Sequence, residues 1–119
     1  MKVVRLNEVA KIPVTSPLFT GKEVTRQILV SDSPEFDVTV VNFGRGVRNK
    51  FHAHDSDQVL IVTAGKGIIA TADEEIPITV GDVVLIPAQE KHWHGATETS
   101  EFSHIYLTRK SSKLTQLED

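Results

Sequence analysis

The chain contains no cysteine. That excludes a disulfide framework, a thiolate metal site and a cysteine nucleophile, and it suits a reducing compartment such as the cytoplasm. No apolar run approaches the ~20 residues that a membrane helix needs. The opening MKVVRLNEVAKIPV lacks the uninterrupted apolar core of a signal peptide, so a soluble cytoplasmic protein is the expectation. Charge of one sign is also lacking: 13 Lys and Arg stand against 16 Asp and Glu, a net charge of −3. Neither nucleic acid nor a membrane surface is therefore an expected partner. There is no internal repeat, no phosphate loop and no Ser/His/Asp pattern. The length, 119 residues, suits one domain over 1–119 that builds its core unaided.

Histidine is missing from most of the chain as well. All five fall between positions 52 and 104, and four form two His-x-His pairs, His52/His54 and His92/His94. Side chains alternate along a strand, so each pair turns both rings to one face. Neutral imidazole is the commonest protein ligand for transition metals, and pairs from two segments can converge on one ion.

Helix signals are weak, and strand signals recur. Strands are predicted at 24–30, 36–43, 58–64, 67–72, 76–80, 83–86 and 101–108. Gly65-Lys66-Gly67 reads as a tight hairpin, and Gly81-Asp82 as a turn. Pro77 is tolerated only near a strand start or edge. Asp73-Glu74-Glu75 is a solvated turn. Short strands at this spacing predict an all-β, small antiparallel barrel or sandwich over residues 24–108. Residues 1–20 form an N-terminal arm, and 109–119 a polar tail that is either a short helix or frayed.

After the first pair the chain enters a strand at Gln58, whose amide oxygen could join the imidazoles. The second segment, Gly81-x5-Pro87-x4-His92, delivers another ring. His52, His54, His92 and Gln58 together make a credible ligand set for one divalent transition metal. His94 has the parity of His92 and should face the interior. His104 lies mid-strand with Phe102 and Tyr106 on its face. Either is a general-base candidate, and either could instead be a hydrogen-bonded core histidine. Trp93 should point outward. Thr39 and Val41 should line the cavity as a substrate pocket, because their strand is expected to flank the metal strand. Arg48 and Lys50 are solvated loop charges or anion holders at the mouth.

The two segments resemble the two motifs of the cupin superfamily, small antiparallel β-barrels that bind a metal inside the barrel. The resemblance covers residues 24–108. The runs QVLIVTAGKG and GDVVLIPAQEKHWHGA are similar to those of small single-domain cupins that include manganese-dependent hydroxynitrile lyases. The family's ligand positions fall on His52, His54, Gln58 and His92, with Gln58 where most cupins have Glu. A neutral fourth ligand leaves the dication near ~+2 instead of ~+1, a stronger Lewis acid toward small anions. Cupins usually have Gly at the position of Gln89, so the turn there should differ or be strained.

The resemblance implies manganese, while Fe, Ni, Co, Cu and Zn also suit such donors. It implies a lyase acting on a cyanohydrin or a similar C–C bond next to oxygen. Two other readings are a metal-dependent dioxygenase or oxidoreductase on a small organic substrate, and a non-catalytic module binding a small ligand or metal. It also implies a homodimer, with the arm's Val3, Val4, Leu6, Val9 and Ile12 lying along a partner's sheet edge.

Overall fold

Runs rich in β-branched residues fold as strands in the computed structural model, which describes residues 1–119. In chain order these are β1 (Ile12–Pro13), β2 (Val24–Val30), β3 (Phe36–Phe43), β4 (His52–His54) and β5 (Gln58–Thr71). They continue with β6 (Glu75–Thr79), β7 (Val83–Ile86), β8 (His92–Ala96), β9 (Phe102–Arg109) and β10 (Leu114–Gln116). All pairings are antiparallel, and the sheet curls into a half-barrel with the strand order β1-β2-β3-β9-β5-β8-β4-β10. β6 and β7 also pair with β5. The only helical element is a 3-10 turn, Leu6–Glu8. No helix is long and apolar enough to cross a membrane.

The long strand β5 joins the two walls. Its first half, from Gln58, pairs with β9 and β7, and its second half, Lys66–Thr71, pairs with β6 and β8. The predicted hairpin at Gly65-Lys66-Gly67 is therefore not a turn: the two strands read there are one. The glycines have a different cause. Gly65 has φ +72°, and a Cβ on it would stand 1.8 Å from the carbonyl oxygen of Glu101. A Cβ on Gly67 would meet the Phe102 ring at 2.6 Å. A register shift between Val62 and Ala64 accompanies the crossing from wall to wall.

The interior face carries Val24, Phe43, Leu60, Val62, Ile69 and Phe102 as a contiguous buried core. Thr39, Val41, His104, Tyr106 and Gln58 share that face by register. β3 pairs with β2 and β9, not with β4, so it does not flank the histidine strand as the sequence reading supposed. It faces that wall across the interior, with the Phe43 ring 6.0 Å from that of His94.

Both termini depart from expectation. The arm folds back on its own sheet. The amide of Gln27 donates to the carbonyls of Leu6 and Val9, and Ile12–Pro13 pairs with Thr25 and Arg26. Val14 and Phe19 pack against the core. The tail is neither helical nor frayed: β10 pairs with β4, placing Leu114 beside His54 and Gln116 beside His52. A bare run of polar residues hides this, because the edge strand's side chains are exposed and only its backbone pairs.

Gly65→Ala should cost about 3 kcal/mol or more of stability, since the new methyl meets backbone that cannot step aside. Gly81→Ala is the control, with φ +94° but nothing within 4 Å. It should cost only the backbone strain, about 1 kcal/mol. Urea denaturation of the two variants checks the difference.

Candidate metal centre

β4 and β8 bring the histidine pairs together. His52 and His92 are direct cross-strand partners, and both are buried. His54 lies on the same face, half-buried. Ring centroids are 4.3 Å apart for His52 and His92, 5.1 Å for His52 and His54, and 5.5 Å for His54 and His92. One ring nitrogen from each falls within 4.8 Å of the others.

Backbone carbonyls fix two of the tautomers. His52 Nδ1 lies 2.6 Å from the carbonyl oxygen of Lys50, and His92 Nδ1 2.8 Å from that of Glu90. A carbonyl only accepts, so both Nδ1 atoms carry the proton, and each Nε2 keeps a lone pair. Among five buried side-chain polar atoms without a protein partner, three are His54 Nδ1, His92 Nε2 and Gln58 Oε1. Gln58 is only 4% exposed. An unsatisfied buried acceptor costs about 1–3 kcal/mol, so a set of them in one interior is the signature of a site built for a ligand. Three imidazoles and an amide oxygen are suitable donors for a divalent transition metal, and the residues fit the ion that the sequence reading expects.

His94 continues the run of rings. Its centroid is 5.7 Å from both His52 and His92, and 4.7 Å from His104. His94 Nδ1 and His104 Nε2 are 3.1 Å apart, so one donates and the other accepts. Phe43 and Phe102 flank His104, which is fully buried. Both residues thus face the interior as expected. His94 adjoins the cluster, and His104 lies one ring beyond it.

Burial keeps every ring neutral. It drives His52 down to about 3, aided by repulsion from His92, and His54 and His104 each to about 4. His94, enclosed by four other rings, is pushed far below the ordinary imidazole value by burial first. His92 is lowered for the same reason.

Thr39 and Val41 line a cavity of about 500 Å³ together with Phe19, Arg26 and Tyr106. None of the five histidines lines it, although Val41 is the direct strand partner of His104. Tyr106 donates to Asp37, and Thr39 donates to the other oxygen of the same carboxylate.

Arg48 is already engaged within the protein. Its guanidinium sits 4.5 Å from the centre of the outward-facing Trp93 ring and pairs with Glu118 at 3.0 Å. Glu118 also accepts from the Phe51 backbone, one residue before His52. Gln89 adopts the left-handed conformation that favours glycine, with φ 70°, and its N–H donates to the His54 carbonyl. The strain expected there is present.

Asn49 was missed. It is buried, accepts from the His94 N–H, and holds its amide nitrogen 3.3–3.4 Å from the His94 ring nitrogens. Nothing local marks it, because an Asn among loop charges reads as a turn residue.

The cupin-domain family matches residues 39–107. An (R)-mandelonitrile lyase from Granulicella tundricola is 39% identical over 71 residues, covering 59% of this chain and 54% of that protein. An acireductone dioxygenase from Exiguobacterium sibiricum is 30% identical over 79 residues, 61% of this chain and 41% of that protein. The chain thus spans about half the length of these curated relatives. A solved cupin-like protein from Thermotoga maritima superposes with a TM-score of 0.85 at 32% identity, covering 94% of this chain and 89% of that one.

The neutral rings set a pH dependence. In the unfolded chain each imidazole protonates near ~6.5. In the fold, His52 and His104 do so only near about 3 and about 4. The unfolded state therefore binds more protons as pH falls below ~6.5, and each such ring removes about 1.4 kcal/mol of stability per pH unit until its folded value is passed. The urea midpoint of metal-stripped protein should be flat from pH 8 to 7 and fall steeply from pH 6 to 4.5. A midpoint unchanged over that acid range contradicts the neutral cluster.

Proposed function

The chain belongs to the cupin family, and on that premise we propose that it is a metal-dependent enzyme of small-molecule chemistry, a lyase acting beside a substrate oxygen. The observation that carries this reading is the neutral donor set. Three imidazoles converge, and the one further buried acceptor among the expected ligands is the partnerless amide oxygen of Gln58. His52, His54, His92 and Gln58 would hold one divalent ion, with manganese favoured by the likeness to hydroxynitrile lyases. Bound there, the ion supplies Lewis acidity that polarises a substrate oxygen and lowers the pKa of its hydroxyl.

His94 is the proton carrier in this reading. It is neutral, adjoins the ligand rings and shares a hydrogen bond with His104. In cleavage of an α-hydroxy nitrile, His94 takes the O–H proton and the oxygen lone pair closes the carbonyl. The C–C bonding pair leaves with cyanide, and the imidazole returns the proton to it. Asn49 holds the His94 backbone during both transfers. Thr39 and Val41 would contact the substrate's body.

A second reading is oxygen-dependent chemistry with a redox metal, favoured by the likeness to an acireductone dioxygenase and by a nitrogen-rich donor set that also suits Fe or Ni. Metal-stripped protein, reloaded with one metal at a time and given mandelonitrile with and without dioxygen, separates the two. The lyase reading requires turnover that ignores oxygen.

Gln58→Glu should tighten metal binding by adding a charge. It should lower lyase turnover on the order of tenfold, about 1.4 kcal/mol, by weakening the Lewis acid at full occupancy. Metal analysis beside the turnover assay reads both. Unchanged affinity and turnover would remove the role given to Gln58.

The dimer belongs to this proposal, with a different face from the arm. On the outside of the sheet, Val59 pairs with Leu85 and Ile61 with Val83, and Val83 and Leu85 are both more than 60% exposed. Such a flat apolar face suits a second copy of the chain. Leu85→Lys should shift the protein from dimer to monomer in light scattering and leave metal content unchanged.

A further inference from the structure

We propose that the cavity lined by Thr39, Val41 and Tyr106 is a carboxylate subsite, with Arg26 as the residue that selects a small organic acid. As a role in turnover this rests on the enzymatic reading above; as a binding site it does not.

Arg26 lies on β2, opposite Val41 in register, and Val41 is in turn opposite His104 on β9. One row of side chains thus runs from Arg26 to the inner end of the histidine run. Of the nine residues lining the cavity, Arg26 is the only one with a charge. The guanidinium has no carboxylate within 4.0 Å, whereas Arg48 and Arg109 are each paired to one. Asp37 is the nearby acid, but both its oxygens are engaged, one by Thr39 and the other by Tyr106. It does not line the cavity. Tyr106 stays a neutral phenol, because burial raises its pKa.

These features specify the ligand. A single guanidinium presents a planar fork that matches a carboxylate with two parallel hydrogen bonds. A phosphate dianion calls for more donors than one fork supplies. Val14, Phe19 and Val41 give the cavity an apolar flank for a hydrocarbon or aromatic body. The volume of about 500 Å³ falls within the ~300–1,000 Å³ of small-molecule sites. A neutral substrate would leave the guanidinium unused. Arg26 is exposed, so water solvates its guanidinium when the cavity is empty; a carboxylate is the ligand that gains from it, and on this proposal the substrate is an organic acid whose reacting oxygen lies elsewhere in the molecule.

The test is calorimetric titration with benzoate, its neutral isostere benzamide, and inorganic phosphate. Each is titrated into metal-loaded and metal-stripped protein, for the wild type, Arg26→Gln and Arg26→Lys. Thermal melts verify that each variant is folded. The subsite predicts benzoate at least tenfold tighter than benzamide in both metal states. It predicts that the preference vanishes in Arg26→Gln and is partly kept in Arg26→Lys. Equal binding of benzoate and benzamide to the stripped wild type overturns the proposal, as does a preference that survives Arg26→Gln. Phosphate binding tighter than benzoate overturns the ligand class. Failure of the metal reading shows separately, as a chain that takes up no metal while the stripped-protein titrations still discriminate.

Discussion

Five imidazole rings pack in one unbroken run through the barrel interior, and none has room for a charge. Each centroid lies within 5.7 Å of the next, and burial lowers the proton affinity of every ring. A run of neutral rings with lone pairs facing inward has few stable solutions. At one end His94 and His104 share a hydrogen bond, although Nδ1 of His104 has no protein partner. At the other end His52, His54 and His92 converge on one another and not on a protein donor, an arrangement suited to a divalent cation. The proposed division between ligand and proton carrier rests on which partner each ring has.

The framework serves that arrangement. β4, the strand of the first pair, is short and joins β8 through a single registered pair. Its other edge is held by β10, and the Arg48–Glu118–Phe51 contacts tie the last residues of the chain to the start of that strand. Gln89 accepts a left-handed backbone to donate to His54. Backbone carbonyls two residues before His52 and His92 orient both rings alike. On the facing wall, Phe43 packs against His94 and His104, and Phe102 against His104.

Much of this was legible in the sequence, for a physical reason. Period-two alternation and β-branching give β2, β3 and β7 with the bounds read from the chain. The His-x-His spacing gives the shared face of each pair. What failed depended on backbone neighbours. Gly65 and Gly67 look like a turn, and only the approach of Glu101 and Phe102 shows that they let a strand cross. The tail shows no strand pattern because β10 buries no side chain. Asn49 and Glu118 act through hydrogen bonds to residues far along the chain, which no local pattern encodes. The arm was assigned to a partner because its apolar residues lacked a visible home. What holds the arm is its backbone, whose Leu6 and Val9 carbonyls accept from Gln27, while Val3, Val4 and Ile12 stay exposed.

The central claim is that the neutral donors His52, His54, His92 and Gln58 enclose one metal ion. Anomalous diffraction from crystals of metal-loaded protein, collected at the absorption edge of the bound metal, tests it most directly. The account predicts a single peak bonded to Nε2 of His52 and of His92, a ring nitrogen of His54 and Oε1 of Gln58, at bond lengths of about 2.1 Å. A peak elsewhere, or a Gln58 amide turned away to a protein donor, would contradict it.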